Sequence, residues 1–286
     1  MDQEVFAAAW RLCELALNEA LGVAGDVTSM VTIPPNHRQR ARFVAAQDAV
    51  VAGLPVAIGA YAQIDANIRY HRQIEDGETV KAGETICEFE GRTRSLLAGE
   101  MLALNFLQRL SGIATLTRKY VQAVSHTKTV ILDTNRTLPG WRLLEKYAVE
   151  MGGGQSHRLG LYDAIVIGAG HVATGSITQA VQAALANPIA AGLPILVSVR
   201  TLKEFEEACK LDISRILMVG MTDREIANAI KRIVGEIQLE FVGRLSVSRA
   251  KLISEMGVDF IGVVDLTQNA PPAEFAIQYV SGESSL

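Results

Sequence analysis

The sequence predicts an α/β fold, in which a small N-terminal part with short strands precedes a parallel α/β barrel. After residue 128, apolar and β-branched runs alternate with helical segments, which indicates parallel strands buried on both faces. Before that point, short alternating runs are separated by Asp-Gly and Ala-Gly turns, which are typical of hairpins. The parallel repeats are compatible with a barrel or an open doubly wound sheet. Because no Gly-x-Gly-x-x-Gly joins a strand to a helix in the Rossmann arrangement, the barrel is favoured.

The composition is that of an ordinary globular protein. The 286 residues suffice for two modest domains or one barrel, and the 49% of apolar residues provide a core. The formal net charge is −4 and no basic stripe is present, so no nucleic-acid partner is expected. Cys13, Cys87 and Cys209 lie far apart without metal-ligand spacing, which predicts buried, reduced thiols in a cytoplasmic protein. No apolar run approaches the roughly 20 residues that span a bilayer, so no membrane partner is expected.

The N-terminal segments are predicted from their periodicity. Apolar side chains at helical spacing predict a helix over residues 4–22. Alternation over 41–57 predicts a strand, a turn and the start of a helix. Residues 68–92 predict a small β unit, whose repeated turns are similar to the arms that carry biotin or lipoate. Because no lysine stands in the context that those arms require, a structural sandwich is predicted instead.

A long buried helix is predicted between the two parts of the chain. Residues 99–124 carry apolar side chains on more than one helical face, which predicts a connector surrounded by protein. Ser111-Gly112, in the middle of this stretch, predicts a break or a second helix start.

The second half of the chain predicts six strands and the helices between them. The strands are expected at 129–133, 163–168, 194–199, 214–219, 237–242 and 258–263. The helices are expected at about 139–152, 176–187, 201–210, 222–234 and 246–256. In an α/β barrel the chemistry lies at the carboxyl ends of the strands, so the residues that follow each strand are the first to consider.

Cations are concentrated beside the first two of these strands, between Asp133 and His171. An arginine at a strand end, with His-Arg supplied by the next connection, can present forked donors to a carboxylate or phosphate. An anion pocket is therefore predicted here, and the alternative is an interface or helix-capping network. The cations are Arg136, Arg142, Lys146, His157 and Arg158.

Four long segments resemble the quinolinate phosphoribosyltransferases: 104–117, 133–154, 157–167 and 257–263. The likeness runs nearly end to end, and it implies an N-terminal α/β sandwich over 1–115 and an open parallel α/β barrel over 116–269. It also implies that the tail, 270–286, returns to the first domain. Family enzymes condense quinolinate with phosphoribosyl pyrophosphate (PRPP) and Mg²⁺, lose CO₂ and yield nicotinate mononucleotide. They are homodimers in which one subunit's sandwich covers the partner's barrel mouth.

The resemblance assigns ligand contacts to residues that follow the strands. His157 and Arg158 are kept from the family's Asn-His-Arg, which contacts a quinolinate carboxylate. Asn135 and Arg136 occupy the positions of the family's Arg-Lys pair, and His171 persists from the family's Lys-(Asp/Glu)-Asn-His. These residues are the predicted substrate contacts.

Other working positions of the family are replaced. Met101 stands where an arginine reaches into the partner's site, and Gly168 stands where a lysine contacts substrate. Ser198 and Val219 replace two acidic residues that hold ribose and metal, and Arg244 interrupts the Ser-Gly-Gly phosphate cradle. Mg²⁺ needs hard oxygen ligands. Each lost charged contact reduces the stabilisation of the transition state. The sequence therefore predicts no metal site and very slow transfer from PRPP, although the family implies Mg²⁺.

Several further residues keep two interpretations. Lys146 and Arg142 are predicted on one helix, where a solvated or dimer-contact face competes with a ligand role. His171 is either a proton carrier or, more simply, a satisfied structural histidine. Arg244 and Asp265 are charges at predicted barrel-mouth positions. An ion pair that fills a vacated PRPP site is a simpler interpretation of them than a contact with a new substrate.

Three functions of different classes follow. The first is an enzyme on this scaffold whose substrate is a pyridine carboxylate or related small acid bound at the barrel mouth, with altered chemistry and no PRPP–Mg²⁺ requirement. The second is a pseudoenzyme or regulatory paralogue that pairs with a competent enzyme through the family's dimer surface. The third is residual nicotinate-nucleotide diphosphorylase (carboxylating) activity in NAD biosynthesis. The expected partners are a small carboxylate ligand and further copies of the chain, in a homodimer or a higher even-numbered oligomer.

Overall fold

The computed structural model describes residues 1–173, 175–233 and 235–280, which form two compact units. The first unit contains Met1–Arg118, Thr137–Gly153 and the described residues from Asn269 on. The second contains Lys119–Arg136 and Gly154–Gln268. Each unit therefore consists of separated segments of the chain. The continuous domain limits 1–115 and 116–269 stay a prediction. Part of the predicted returning tail, 281–286, lies outside the described residues.

The N-terminal elements follow the predicted order. They are α1 (Gln3–Leu21), α2 (Val27–Thr32), β1 (Arg38–Ala45), β2 (Ala49–Val50), α3 (Leu54–Ile64), β3 (Arg69–Arg72), β4 (Thr79–Val80), β5 (Thr85–Arg92) and α4 (Thr93–Val124).

The elements from Val130 on also follow the predicted order. They are β6 (Val130–Leu132), α5 (Arg142–Met151), β7 (Ile165–Ile167), α6 (Ile177–Leu185), β8 (Ile195–Val199), α7 (Leu202–Ala208), β9 (Arg215–Val219), α8 (Asp223–Ile230), β10 (Gln238–Gly243), α9 (Val247–Glu255), β11 (Phe260–Val263) and α10 (Asp265–Gln268). A last strand, β12 (Phe275–Val280), follows them, and a short 3₁₀ turn (Pro188–Ala190) precedes β8.

The core of the first unit lies on one face of an antiparallel sheet with the order β12-β1-β5-β3. Alternation along β1 buries Ala41 and Phe43 on the inner face, while Arg42 points outward. The Phe43 ring lies 4.8 Å from that of Phe89 at a steep angle, and 6.1 Å from that of Tyr61. All three rings are almost fully buried, and such aromatic packing is a main source of core stability.

The predicted break at Ser111-Gly112 is wrong, because α4 is one continuous helix of 32 residues. Both residues have a packing role instead. The Ser111 hydroxyl accepts from the amide of Ala52 (2.9 Å) and donates to the carbonyl of the same residue (3.1 Å). At Gly112 a Cβ would lie 2.1 Å from the carbonyl oxygen of Pro271, so only glycine admits this segment. Gly112 therefore marks a position where the backbone near Pro271 passes close to α4, and not a helix break.

A buried carboxylate joins α3, β5 and α4. The Asp65 side chain accepts hydrogen bonds from Nε of Arg92 (2.8 Å) and from the Ser95 hydroxyl (2.9 Å). It also accepts from the amide and the side chain of Asn67, both at 3.0 Å. The Arg92 guanidinium, with these further donors, holds the pKa of Asp65 well below its usual range. Folding therefore favours the ionised form of Asp65.

This carboxylate predicts how stability depends on pH. Because its pKa is lower in the folded chain, its contribution is complete above the unfolded value, about 4, and is lost as the pH falls toward the folded value. We expect Asp65→Asn to lower the free energy of unfolding by roughly 1–3 kcal/mol at pH 7. Urea titrations should show a much smaller difference at pH 3. Asp48→Asn, which breaks an exposed pair with Lys81, is the control and should leave the urea midpoint unchanged. An Asp65→Asn deficit that is equal at both pH values would contradict this account.

The second unit contains a parallel sheet with the order β6-β11-β10-β9-β8-β7. All six predicted strands form, and a helix is present at each predicted position between them. Position 234, where one of these helices was expected to end, lies outside the described residues. The inner face of the sheet carries Ala164, Leu196 and Leu217, with Val166 and Val242 packed against them. The predicted fold class, an N-terminal α/β sandwich with an open parallel α/β barrel, is confirmed.

The three thiols of the chain are not bonded to one another. Burial raises the pKa of Cys13 and of Cys87 to about 12, so both remain protonated and unreactive at neutral pH. Cys209 is only half-buried. Over the described ranges, no helix has the length and apolar character needed to cross a membrane.

Candidate functional site

The carboxyl end of β6 brings the predicted mouth residues together. Residues 155–157 run alongside this strand, because the amide of Gln155 donates to the carbonyl of Ile131 (2.9 Å) and Gln155 accepts from the amide of Asp133 (3.1 Å). The amide of His157 then donates to the Asp133 carboxylate (2.8 Å), which is fully buried. His157 and its neighbours are thus held beside the turn that follows β6.

Arg136 lies in that turn. The Thr134 hydroxyl accepts from the amide of Arg136 (3.3 Å), and the Thr267 hydroxyl donates to the carbonyl of Arg136 (2.7 Å). The backbone is therefore fixed, while the side chains of Arg136 and Asn135 are exposed. Across the described residues, the Arg136 guanidinium takes part in no hydrogen bond or ion pair, so it remains available to an anion.

Arg158 follows His157 and is half-buried. The loop beyond it is closed by Asp163, whose carboxylate accepts from the amides of Leu159 (2.7 Å) and Gly160 (3.1 Å). Throughout the part of the chain that the structure describes, the Arg158 guanidinium makes no hydrogen bond or salt bridge. Arg136 in the turn after β6, and Arg158 just beyond the segment that runs beside this strand, are thus forked donors that make no hydrogen bond or ion pair among the described residues.

Two charged residues on the inner face of the barrel were not predicted from the sequence. Glu240 on β10 is fully buried, and its Oε2 lies 2.9 Å from Nη1 of Arg215 on β9 and 3.4 Å from Nε2 of His157. A signal was present, because Arg215 alternates in phase with Leu217, and Glu240 alternates in phase with Val242. Two opposite charges in phase with buried side chains, on neighbouring parallel strands, predict a pair inside the barrel.

Arg244 and Asp265 form the expected ion pair. Nη1 of Arg244 lies 3.0 Å from the Asp265 carboxylate, and Nη2 donates to the side chain of Gln268 (2.6 Å). The guanidinium is more than half exposed, so this pair contributes little to stability. Its effect on the site is to occupy Arg244 with protein acceptors.

His171 belongs to a tight turn after β7. Its amide donates to the carbonyl of Gly168 (2.8 Å), and its Nδ1 accepts from the amide of the same residue (3.1 Å). Accepting at Nδ1 assigns the proton of the neutral ring to Nε2, which leaves a donor on an exposed side chain. His171 thus serves the turn, and its exposed Nε2–H remains able to meet a ligand.

Lys146 lies in the first unit, and the interpretation of it as part of a solvated face is wrong. Only 2% of this residue is exposed, and the adjacent Glu145 is fully buried. The Glu145 carboxylate lies 2.7 Å from Nη2 of Arg109 and accepts from the amide of Leu138 (3.1 Å). Arg142, on the same helix, donates from Nε to the Thr137 hydroxyl (3.2 Å). The predicted ligand role of Lys146 stays a prediction.

The strand ends offer a poor donor set for a magnesium–diphosphate group. Mg²⁺ in such sites is usually held by one or two carboxylates together with substrate phosphates. Ser198 and Val219 carry no carboxylate, and those of Asp133 and Asp265 already face protein donors. No group of three or more His, Cys, Asp or Glu side chains within the described ranges is placed to hold a metal ion. The described residues at these strand ends therefore do not match the usual donor set of a magnesium–diphosphate site.

Comparisons with known proteins point to one family. The family model described as the N-terminal domain of quinolinate phosphoribosyl transferase matches residues 26–111. The model of the C-terminal domain of the same enzyme matches residues 113–278. Together the two matches cover both the antiparallel sheet and the parallel one.

Individual relatives agree with the family models. A probable carboxylating nicotinate-nucleotide pyrophosphorylase of Synechocystis is 38% identical over 85% of this chain and 84% of its own length. A decarboxylating quinolinate phosphoribosyltransferase of Nicotiana tabacum is 32% identical over 93% of this chain and 80% of its own. The solved nicotinate-nucleotide pyrophosphorylase of Francisella tularensis superposes with a TM-score of 0.90 at 32% identity, covering 96% of each chain.

Proposed function

Since this chain belongs to the quinolinate phosphoribosyltransferase family, we propose that it binds a pyridine carboxylate or a related small acid at the mouth of its barrel, without efficient transfer from PRPP and Mg²⁺. The proposal rests on one observation: which arginines near the barrel mouth already have partners among the described residues. Arg136 and Arg158 are unpaired in the described chain, whereas Arg215 and Arg244 are neutralised by Glu240 and Asp265.

A small aromatic acid matches these donors. Guanidinium groups hold carboxylates through two parallel N–H···O bonds, which are stronger than hydrogen bonds between neutral groups. Two guanidiniums that are unpaired among the described residues, one in the turn after β6 and one just beyond the segment beside that strand, suit a ligand with two neighbouring carboxylates. Quinolinate, a pyridine 2,3-dicarboxylate, is the simplest ligand of this kind.

Transfer from PRPP has weaker support in the same residues. A diphosphate and a 5′-phosphate demand several cations and close-packed amides. Gly168 carries no charge, and the Arg244 guanidinium is already engaged by Asp265 and Gln268. The chemistry that this family member performs on a bound acid would then differ from phosphoribosyl transfer.

The family reaction is the second candidate, because relatives as much as 38% identical carry the names of nicotinate-nucleotide pyrophosphorylases. In that case Arg136 and Arg244 would act in place of the lysine and the phosphate cradle. The chain would then be a transferase of NAD biosynthesis.

Calorimetry on the purified protein tests both candidates. Quinolinate, nicotinate mononucleotide and PRPP–Mg²⁺ are titrated separately, beside an assay for formation of nicotinate mononucleotide. Quinolinate binding without PRPP binding or turnover is the expected result. PRPP binding with turnover would establish the family reaction and overturn our proposal. If no ligand binds, and the protein raises the activity of a competent paralogue above that of the paralogue alone, the protein is a regulatory pseudoenzyme.

A further inference from the structure

The charged cluster on the inner face of the barrel is not explained by stability. Glu240 is fully buried, its Oε1 has no hydrogen-bond partner among the described residues, and the same is true of Nε of Arg215. Burying ions costs free energy that their mutual attraction often fails to offset, and apolar side chains of similar volume would serve the core as well. A buried pair with unsatisfied atoms beside a predicted ligand contact suggests a role in the site.

Arg215 is fixed more firmly than an isolated ion pair requires. Its guanidinium carbon lies 3.7 Å from the centroid of the Phe260 ring, and Nη1 contacts Glu240 at 2.9 Å. Its remaining terminal nitrogen donates to the side chain of Gln238 at 3.4 Å. Stacking and pairing together restrict the guanidinium to one orientation, which in turn restricts the carboxylate that it faces.

The neighbouring strand leaves room for this carboxylate. At Gly262 on β11, an added Cβ would lie 2.7 Å from Oε1 of Glu240. The glycine therefore admits the carboxylate group, and Arg215 draws that group toward β9. The position of Glu240 is set from both sides of β10.

We infer that Arg215 is a positioning residue, which acts through Glu240 to orient the ring of His157 toward the ligand of the barrel mouth. The backbone of His157 is fixed by Asp133, and its Nε2 faces Glu240 at 3.4 Å. Within the described chain Nδ1 makes no hydrogen bond, so it is the ring nitrogen available to a ligand. Partners of this kind fix the orientation and the tautomer of a histidine. The inference rests on the proposed carboxylate-binding function.

The test compares two arginines that make similar contacts in the second unit. Arg215→Met removes the guanidinium that faces Glu240. Arg249→Met is the matched control, because Arg249 also pairs with a carboxylate, that of Asp223 (2.9 Å), and lies over a ring, that of Phe241 (5.3 Å). Two quantities are measured at pH 8: the protonation of each His157 ring nitrogen by long-range ¹H–¹⁵N NMR without ligand, and the Kd for quinolinate. His157→Gln assigns the ring signals.

In the wild type we expect His157 to be protonated at Nε2. Arg215→Met should remove that preference and raise the Kd for quinolinate about tenfold. Arg215→Lys should restore part of both, because it returns the charge without the fork. Arg249→Met should change neither quantity. An unchanged ring signal in Arg215→Met would overturn the inference.

A second variant keeps the test decisive if Arg215→Met does not fold. Gly262→Ala leaves every charge in place and displaces the Glu240 carboxylate, whose end is flexible enough to move. It should alter the His157 ring signal in the same direction, and a wild-type signal in this variant also contradicts the inference. If the ring signal responds while even the wild type fails to bind quinolinate, Arg215 does orient His157, and the proposed function is what fails.

Discussion

Replacing Arg158 with alanine is expected to weaken quinolinate binding by about ten- to a hundredfold. The variant removes a guanidinium that the described protein does not engage, and a hydrogen bond to a charged group is worth about 1.5–3 kcal/mol. Each 1.4 kcal/mol corresponds to about a factor of ten in Kd. Calorimetric titration with quinolinate measures the loss directly. Arg158→Lys should recover part of it, because a point charge cannot replace a bidentate fork.

The control for this experiment is Arg224→Ala. Arg224 is exposed on α8 in the same unit, so its removal changes the net charge equally without touching the end of β6. We expect its Kd for quinolinate to equal that of the wild type. If Arg158→Ala also binds like the wild type, the carboxylate is not held beside β6 and the proposed site is wrong.

Replacing Gly112 with alanine is expected to lower stability more than a helix propensity scale suggests. The new Cβ would lie 2.1 Å from the carbonyl oxygen of Pro271 and 3.0 Å from Cα of Pro272, and backbone atoms cannot move aside as a flexible side chain can. Overpacking of this kind costs about 1–3 kcal/mol, which exceeds the gain of about 1 kcal/mol from removing a helical glycine. Thermal unfolding should show a lower Tm.

The same substitution at Gly59 is expected to change the free energy of unfolding in the opposite direction. Gly59 lies inside α3, and a Cβ there would meet nothing within 4 Å. Gly59→Ala should therefore raise the free energy of unfolding by roughly 0.5–1 kcal/mol, because the unfolded chain loses freedom and the helix loses nothing. Equal effects of the two variants would show that the tail segment near Pro271 does not press on α4.

Gly112 also shows the limit of local sequence rules. A glycine in an apolar helical run predicts a break in the helix, because helix propensity reflects only the conformational freedom of the backbone. Here the helix continues, and the glycine is needed because a distant segment crosses it: the amide of Ala273 donates to the carbonyl of Gln108 (2.9 Å). Nothing within a dozen residues of Gly112 encodes that crossing.

The mouth residues show how much of a site a sequence can reveal. Arg136 follows β6, and His157 and Arg158 follow the next helix, so parallel topology alone predicts that they approach one another. The role of Glu240 is not evident from the sequence, because its strand is mostly apolar and its partners Arg215 and His157 are 25 and 83 residues away in the chain. The burial of Lys146 is not predictable from the sequence, because an amphipathic pattern does not reveal what covers the polar side of a helix.

The sequence by itself determined the elements, their order and the fold class, because hydrophobic periodicity is a local property that each strand and helix expresses within a few residues. It also identified the cations beside β6. Only the tertiary structure decided which charged side chains near the barrel mouth have partners within the described chain, since pairing depends on distances between strands that lie far apart in the sequence. Arg244 is engaged by Asp265 and Gln268, and Arg215 by Glu240, while Arg136 and Arg158 make no hydrogen bond or ion pair among the described residues.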